Sequence, residues 1–163
     1  MEFKLKFIVL ILGILFTGLT AGLCFTWSNA VTPGIGRQDN LTFLKSFQSM
    51  NRVIINVKFI VVFFGPVLLL FLTSYLFKSN TTSFWLFLIA AILFFIGIGL
   101  VTVFGNVPLN EILDKSNLET LSKTELQELR NKFEQPWNNW HTIRTVSSFS
   151  AFALLIIGTL YIK

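Results

Sequence analysis

Four long apolar runs, residues 5–27, 59–77, 84–104 and 143–162, alternate along the chain with polar segments. At 1.5 Å per residue, each can form a helix across a hydrocarbon core of ~30 Å. None contains an Asp or Glu, and Trp27, Tyr75, Trp85, Trp140 and Tyr161 lie at or near their ends. Amphipathic rings favour that headgroup level. With their flanks, the runs predict membrane helices at about 5–27, 53–77, 84–105 and 140–162 in a single domain over residues 1–163. The predicted fold class is all-α, an integral membrane four-helix bundle.

The first run follows Lys4 and Lys6 and so has the start of a signal peptide, but its apolar stretch exceeds the usual core of 7–15 residues. Bulky Leu23 also stands before Cys24 where a lipoprotein cleavage box needs a small residue. It is read as a retained membrane helix. Gly13, Thr17, Ala21 and Ser28 form a small-residue stripe suited to close helix packing in lipid. Pro66 inside the second run is expected to free the carbonyl of Val62. Gly97 and Gly99 are expected to loosen the third.

The connections differ in length. Only Lys78 to Ser83 separate the second and third runs. The other two connections are long, and each is expected to hold a short helix on the same membrane face. In the first, Leu41, Leu44, Phe47 and Met50 recur with a helical period, predicting a helix over 41–50. In the second, Ser122 and Glu125 make a capping box, Leu126, Leu129 and Phe133 share a face, and Pro136 is the expected stop, predicting a helix over 123–134.

Composition sharpens this picture. Hydrophobic residues are 53% of 163 and charged residues 13%, about half the usual share, with 19 Phe. Basic residues are scattered rather than striped, which argues against nucleic acid despite a net charge of +5. A lone Cys24 excludes an internal disulfide or a CxxC pair, and with a lone His141 no metal site or cofactor is expected. The partners expected are the lipid bilayer and a lipophilic small molecule. A homo-oligomer is left open.

Alternating helices bring both long connections to one end, and with them the polar residues that are awkward in a membrane protein: Asn29, Gln48, Asn51, Asn106, Asn110, Trp137, Trp140, His141 and Arg144. Steps of three and four put Trp137, Trp140 or His141, Arg144 and Ser148 on one helical face. An arginine near bilayer depth needs partners, and Asn106 and Asn110 are the expected ones. Two readings stay open. Arg144 snorkels while the Trp residues anchor the interface, or these side chains line a binding site. Nine Lys and Arg flank this end and four flank the other, so the positive-inside bias places the long connections in the cytoplasm.

Asn106-Val107-Pro108-Leu109-Asn110, followed some 25 residues later by Trp137-x-x-Trp140-x-x-x-Arg144, resembles the anthrone oxygenase-like family of four-helix membrane proteins. The first half fits as well, through residues 21–28, Pro33, Phe47-Gln48-Ser49-Met50-Asn51 and Pro66, so the resemblance spans almost the whole chain. One departure stands out, because His141 occupies the place where the family usually has Asn. Many bacterial members are known only as a domain of unknown function, and the resemblance implies a bacterial cytoplasmic membrane. Fungal relatives are implicated in oxidising anthrones with molecular oxygen, with no established metal or flavin.

The resemblance implies an oxygenase-type oxidoreductase. His141, whose unperturbed pKa lies near neutrality, is the expected base and Arg144 the catalytic anion-stabilising group. Asn29, Gln48, Asn51, Asn106, Asn110, Trp137 and Trp140 are the expected substrate-binding residues. The alternative is a non-catalytic protein that binds a lipid, quinone or partner membrane protein. A proton-coupled exporter needs a membrane carboxylate, which no run contains.

Overall fold

The computed structural model describes residues 2–162 and is helical throughout, with no strand among the described residues. Its elements are α1 (Glu2–Thr26), α2 (Thr32–Ile35), α3 (Asn40–Ile54), α4 (Val57–Leu76), α5 (Thr81–Phe94), α6 (Val107–Lys115) and α7 (Lys123–Thr159). π-Helical stretches Trp27–Val31, Phe95–Leu100 and Thr102–Asn106 join α1 to α2 and α5 to α6 without breaking the rod. Four helical rods, Lys4–Ile35, Val57–Leu76, Thr81–Lys115 and Lys123–Thr159, are each long and apolar enough to cross a membrane. The protein is an integral membrane four-helix bundle.

Polar side chains at the breaks start the helices. Asp39 accepts from the Thr42 amide, Asn56 from Phe59 and Asn80 from Ser83, each at 3.1 Å. Each thereby satisfies an amide that has no partner within the helix. The Thr42 hydroxyl, 2.6 Å from Asp39, holds that carboxyl below the usual carboxylate range. Ser122 and Glu125 close the expected capping box at α7.

Helix α1 packs on α4 and α7, and α5 packs on the same two helices, which closes the bundle. Leu10, Phe63, Leu70, Phe87, Phe94, Ile98, Ala151 and Leu155 fill its interior. Small residues set the approach of the helices. A side chain at Gly13 would meet Leu70, and one at Gly97 would collide with Ser147 of α7. Gly97 thus serves close packing against α7. The carbonyl that Pro66 leaves without an amide, that of Val62, accepts from Thr20 of α1 at 3.1 Å. The proline's cost is converted into an interhelical bond. Outward-facing residues such as Leu19, Leu68, Val146 and Phe149 are exposed and apolar, as a lipid-facing surface requires.

The second long connection differs from expectation. Residues 123–134 are not a separate helix, and Pro136 is not a stop, because α7 runs through it for 37 residues. Buried Leu126, Phe133, Trp137, His141, Arg144, Ser148, Ala151, Leu155 and Gly158 keep one three-four phase across the proline. Burial along that unbroken stripe outweighs a missing amide bond. The short helix of this connection is instead α6, and the helix expected over 41–50 is α3, Asn40–Ile54.

Both connections cover the same end. Phe43, Leu44 and Phe47 of α3 pack with Leu113, Leu118, Leu126, Phe133 and Trp137 in a second apolar core. Arg130 of α7 ties it down. It donates to the carbonyls of Gly36 and Gln38 and to Asn40, pairs with Glu134, and lies 4.3 Å from the Phe43 ring centre.

Candidate functional site

A cavity of about 280 Å³ lies between the two apolar cores, close to the lower end of the roughly 300–1,000 Å³ typical of small-molecule sites. Its walls come from the end of α1 (Cys24, with Trp27 beyond), α3 (Asn51), the start of α4 (Phe59, Phe63), the π-helical stretch before α6 (Thr102), α6 (Asn110) and α7 (Trp137, His141, Arg144). Two of the three π-helical stretches thus carry wall residues. A π turn shifts the side-chain phase, and such turns recur at functional sites.

The exposed lining residues are Leu23, Ile55, Ile60 and Val107, all apolar. Of the polar ones, Cys24, Thr102, His141 and Arg144 are buried, and Asn51 and Asn110 are half-buried. The cavity has an apolar rim and largely apolar walls, with a few buried polar groups set into them.

Arg144, 7% exposed, lies at the centre. Its Nη2 donates to His141 Nδ1 at 2.7 Å, and Nη1 lies 3.5 Å from the Thr102 hydroxyl. Cζ is 5.1 Å from the centre of the Trp137 ring and 6.0 Å from that of Phe63. Among the described residues no carboxylate is within ion-pair distance of it. A buried cation without a counter-charge costs several kcal/mol. The aromatic faces offset part of that, and the Nε hydrogen still has no acceptor.

The tautomer of His141 follows from its neighbours. A guanidinium only donates, so Nδ1 must carry the lone pair. Nε2 then carries the proton and donates to the carbonyl of Cys24 at 3.1 Å. The ring stacks on Trp137, with centroids 4.8 Å apart and planes at 18°. Trp137 is in turn fixed by Asn110, whose Oδ1 accepts from the indole at 2.8 Å.

The residues expected at the site therefore divide. Asn51, Asn110, Trp137, His141 and Arg144 line the cavity. Asn106 and Asn110 do not hold Arg144 as expected. Asn110 bonds the Trp137 indole, and Asn106 donates to the Trp137 carbonyl at 3.1 Å, two turns before the arginine. Gln48 donates to the carbonyls of Leu113, Asp114 and Ser116, which caps the end of α6 and keeps it outside the cavity. Asn29 is exposed on the π turn, beyond the cavity walls. Trp140 is 40% exposed and lies against Gly105, where a side chain would collide with its ring. Trp27, Cys24 and Thr102 join the site unexpectedly. Trp27 reads in sequence as an interface anchor, and Cys24 enters chiefly through a backbone carbonyl, which no pattern of side chains reveals.

Among the described residues no three His, Cys, Asp or Glu side chains come together as metal ligands. The site's chemistry is that of a cation, a neutral imidazole, amides and aromatic faces.

A family model described as anthrone oxygenase matches residues 57–154, more than half of the chain. The matched segment carries Thr102, Asn106, Asn110, Trp137, His141 and Arg144, while Cys24, Trp27 and Asn51 lie before it. No curated protein and no solved structure matches the chain.

Proposed function

The chain belongs to the anthrone oxygenase family, and from that premise we propose that it is a membrane-embedded oxidoreductase that oxidises a lipophilic phenolic or polycyclic substrate with molecular oxygen, without metal or flavin. One observation carries the reading: Arg144 is buried in a cavity walled by Trp137 and Phe63, with no carboxylate to neutralise it among the described residues. Such a cation favours an anion or an incipient oxyanion on a flat apolar body.

The proposed steps use this geometry. The ring ketone of an anthrone enters with its oxygen toward Arg144 and draws Nη2 away from His141. The Nδ1 lone pair so released takes a proton from the ring methylene, and the negative charge settles on the ketone oxygen beside the guanidinium. His141 lies three residues from Arg144, ~4.5 Å along the α7 axis, so base and anion site are adjacent but distinct. The electron-rich carbon passes an electron to dioxygen and bonds to the superoxide so formed, and His141 returns its proton to give a hydroperoxide. Loss of water from that group leaves a second ring ketone. One oxygen atom stays in the product and the other leaves as water, so no outside reductant is needed.

The apolar rim suits a substrate that arrives from the bilayer. We place the long-connection end in the cytoplasm on the strength of its nine Lys and Arg against four at the other end.

The test is oxygen uptake by the purified protein in lipid nanodiscs given anthrone, with protein-free discs as the background. The expected result is accelerated uptake, with one molecule of dioxygen consumed per quinone formed. A second reading has one observation in its favour, since the lone pair of His141 is engaged by Arg144. On that reading the cavity holds a quinone or lipid without turnover. Tight anthrone binding with no acceleration would establish it instead.

A further inference from the structure

We infer that Trp27 and Asn51 form a second acceptor-binding subsite, which takes an oxygen on the part of the ligand remote from Arg144. The inference rests on the reading above that the cavity receives a flat lipophilic ligand. Three donors in these walls are buried with no hydrogen-bond partner: Arg144 Nε, Trp27 Nε1 and Asn51 Nδ2. Native proteins rarely leave such groups unsatisfied. Three acceptors in the same walls are already engaged. Asn110 Oδ1 accepts from Trp137, His141 Nδ1 from Arg144 and the Cys24 carbonyl from His141. The cavity thus offers donors and a positive charge. The matching ligand is rich in acceptors and poor in donors: a ketone, quinone or phenolate, not an amine.

Trp27 and the Arg144 guanidinium both pack against Trp137, the Trp27 ring centre 5.8 Å and Arg144 Cζ 5.1 Å from the centre of its ring. Two ketones on opposite edges of one ring, each accepting a hydrogen bond of ~2.9 Å, can serve two such donors at once. The oxygen that the reaction adds to the substrate lies across the ring from the original ketone, where a second donor is needed. Trp27 and Asn51 also precede the segment matched by the family model, residues 57–154. Within this chain the Arg144 wall belongs to the family segment, and the second subsite is supplied from the first third of the sequence.

The experiment measures equilibrium retention of three probes by the full protein in nanodiscs, corrected for protein-free discs. Anthracene has no oxygen, anthrone has one and anthraquinone two. Wild-type protein should prefer anthraquinone over anthrone by roughly three- to tenfold, the effect of one or two added hydrogen bonds. Trp27→Phe, which keeps a ring against Trp137, and Asn51→Leu should each reduce that preference, lowering anthraquinone retention more than anthrone retention. Wild-type protein that fails to separate the two ketones overturns the subsite. So do variants that weaken both probes equally. If Trp27→Phe does not fold, as judged by its thermal unfolding midpoint, Asn51→Leu decides alone. Oxygen uptake on anthrone is read in the same samples. Selectivity without turnover refutes only the oxidase reading, and turnover without selectivity refutes only the subsite.

Discussion

Arg144 Nη2 stands 2.7 Å from His141 Nδ1, so the single lone pair of the imidazole is held by the arginine three residues away. The pair works as a unit. A ligand oxygen that attracts the guanidinium also frees the base. Trp137 lies against both, stacked on the imidazole and 5.1 Å from Cζ of the arginine, and so fixes their orientation.

Arg144→Lys tests whether the guanidinium is a site residue. Lysine keeps the charge but loses the planar fork that reaches His141 and Thr102 while leaving Nε for a ligand. Anthrone retention or turnover should fall about tenfold, ~1.4 kcal/mol, with the helical circular dichroism unchanged. An arginine that merely snorkels would tolerate the change, since either side chain reaches the headgroups.

His141→Gln separates positioning from proton transfer. Glutamine can still donate to Cys24 O and accept from Arg144, but it is no base. Turnover should drop at least about a hundredfold while anthrone retention stays within about threefold. Retained turnover would reduce His141 to an orienting role.

Entry from the bilayer predicts a kinetic effect at the rim. Ile60 is 47% exposed and Ile55 71%, beside the cavity mouth. Ile60→Trp should slow anthraquinone transfer from vesicles into protein-containing nanodiscs by about tenfold, followed by stopped-flow absorbance, with equilibrium retention little changed. A change in affinity with no change in rate would place the entrance elsewhere.

Arg130 predicts the stability of the covered end. It is largely buried and donates to Glu134, Asn40 and the carbonyls of Gly36 and Gln38. Lysine cannot span these acceptors, so Arg130→Lys should cost ~2 kcal/mol. The measurements are a lower thermal midpoint and faster proteolysis near residues 36–40.

The sequence by itself determined the membrane class, the four crossings and the end at which polar residues gather. Apolar length, helical phase and connection length are local properties, and each acts through one stretch of chain. It also singled out Trp137, His141 and Arg144, because three-four spacing puts them on one face before any packing is known. It missed the continuity of α7 through Pro136, since the stripe that carries the helix across gains its energy from α3 and α6 on one side of the proline and from α1 and α5 on the other. The partners of Arg144 were equally out of reach. Asn106 and Asn110 have the right spacing, but the π-helical stretch before α6 turns them to Trp137, and Arg144 meets His141 and Thr102 instead. Hydrogen bonds between helices depend on relative rotation and height, which packing of the whole bundle sets. Only the tertiary structure could therefore bring Cys24, Trp27 and Thr102 to the same cavity.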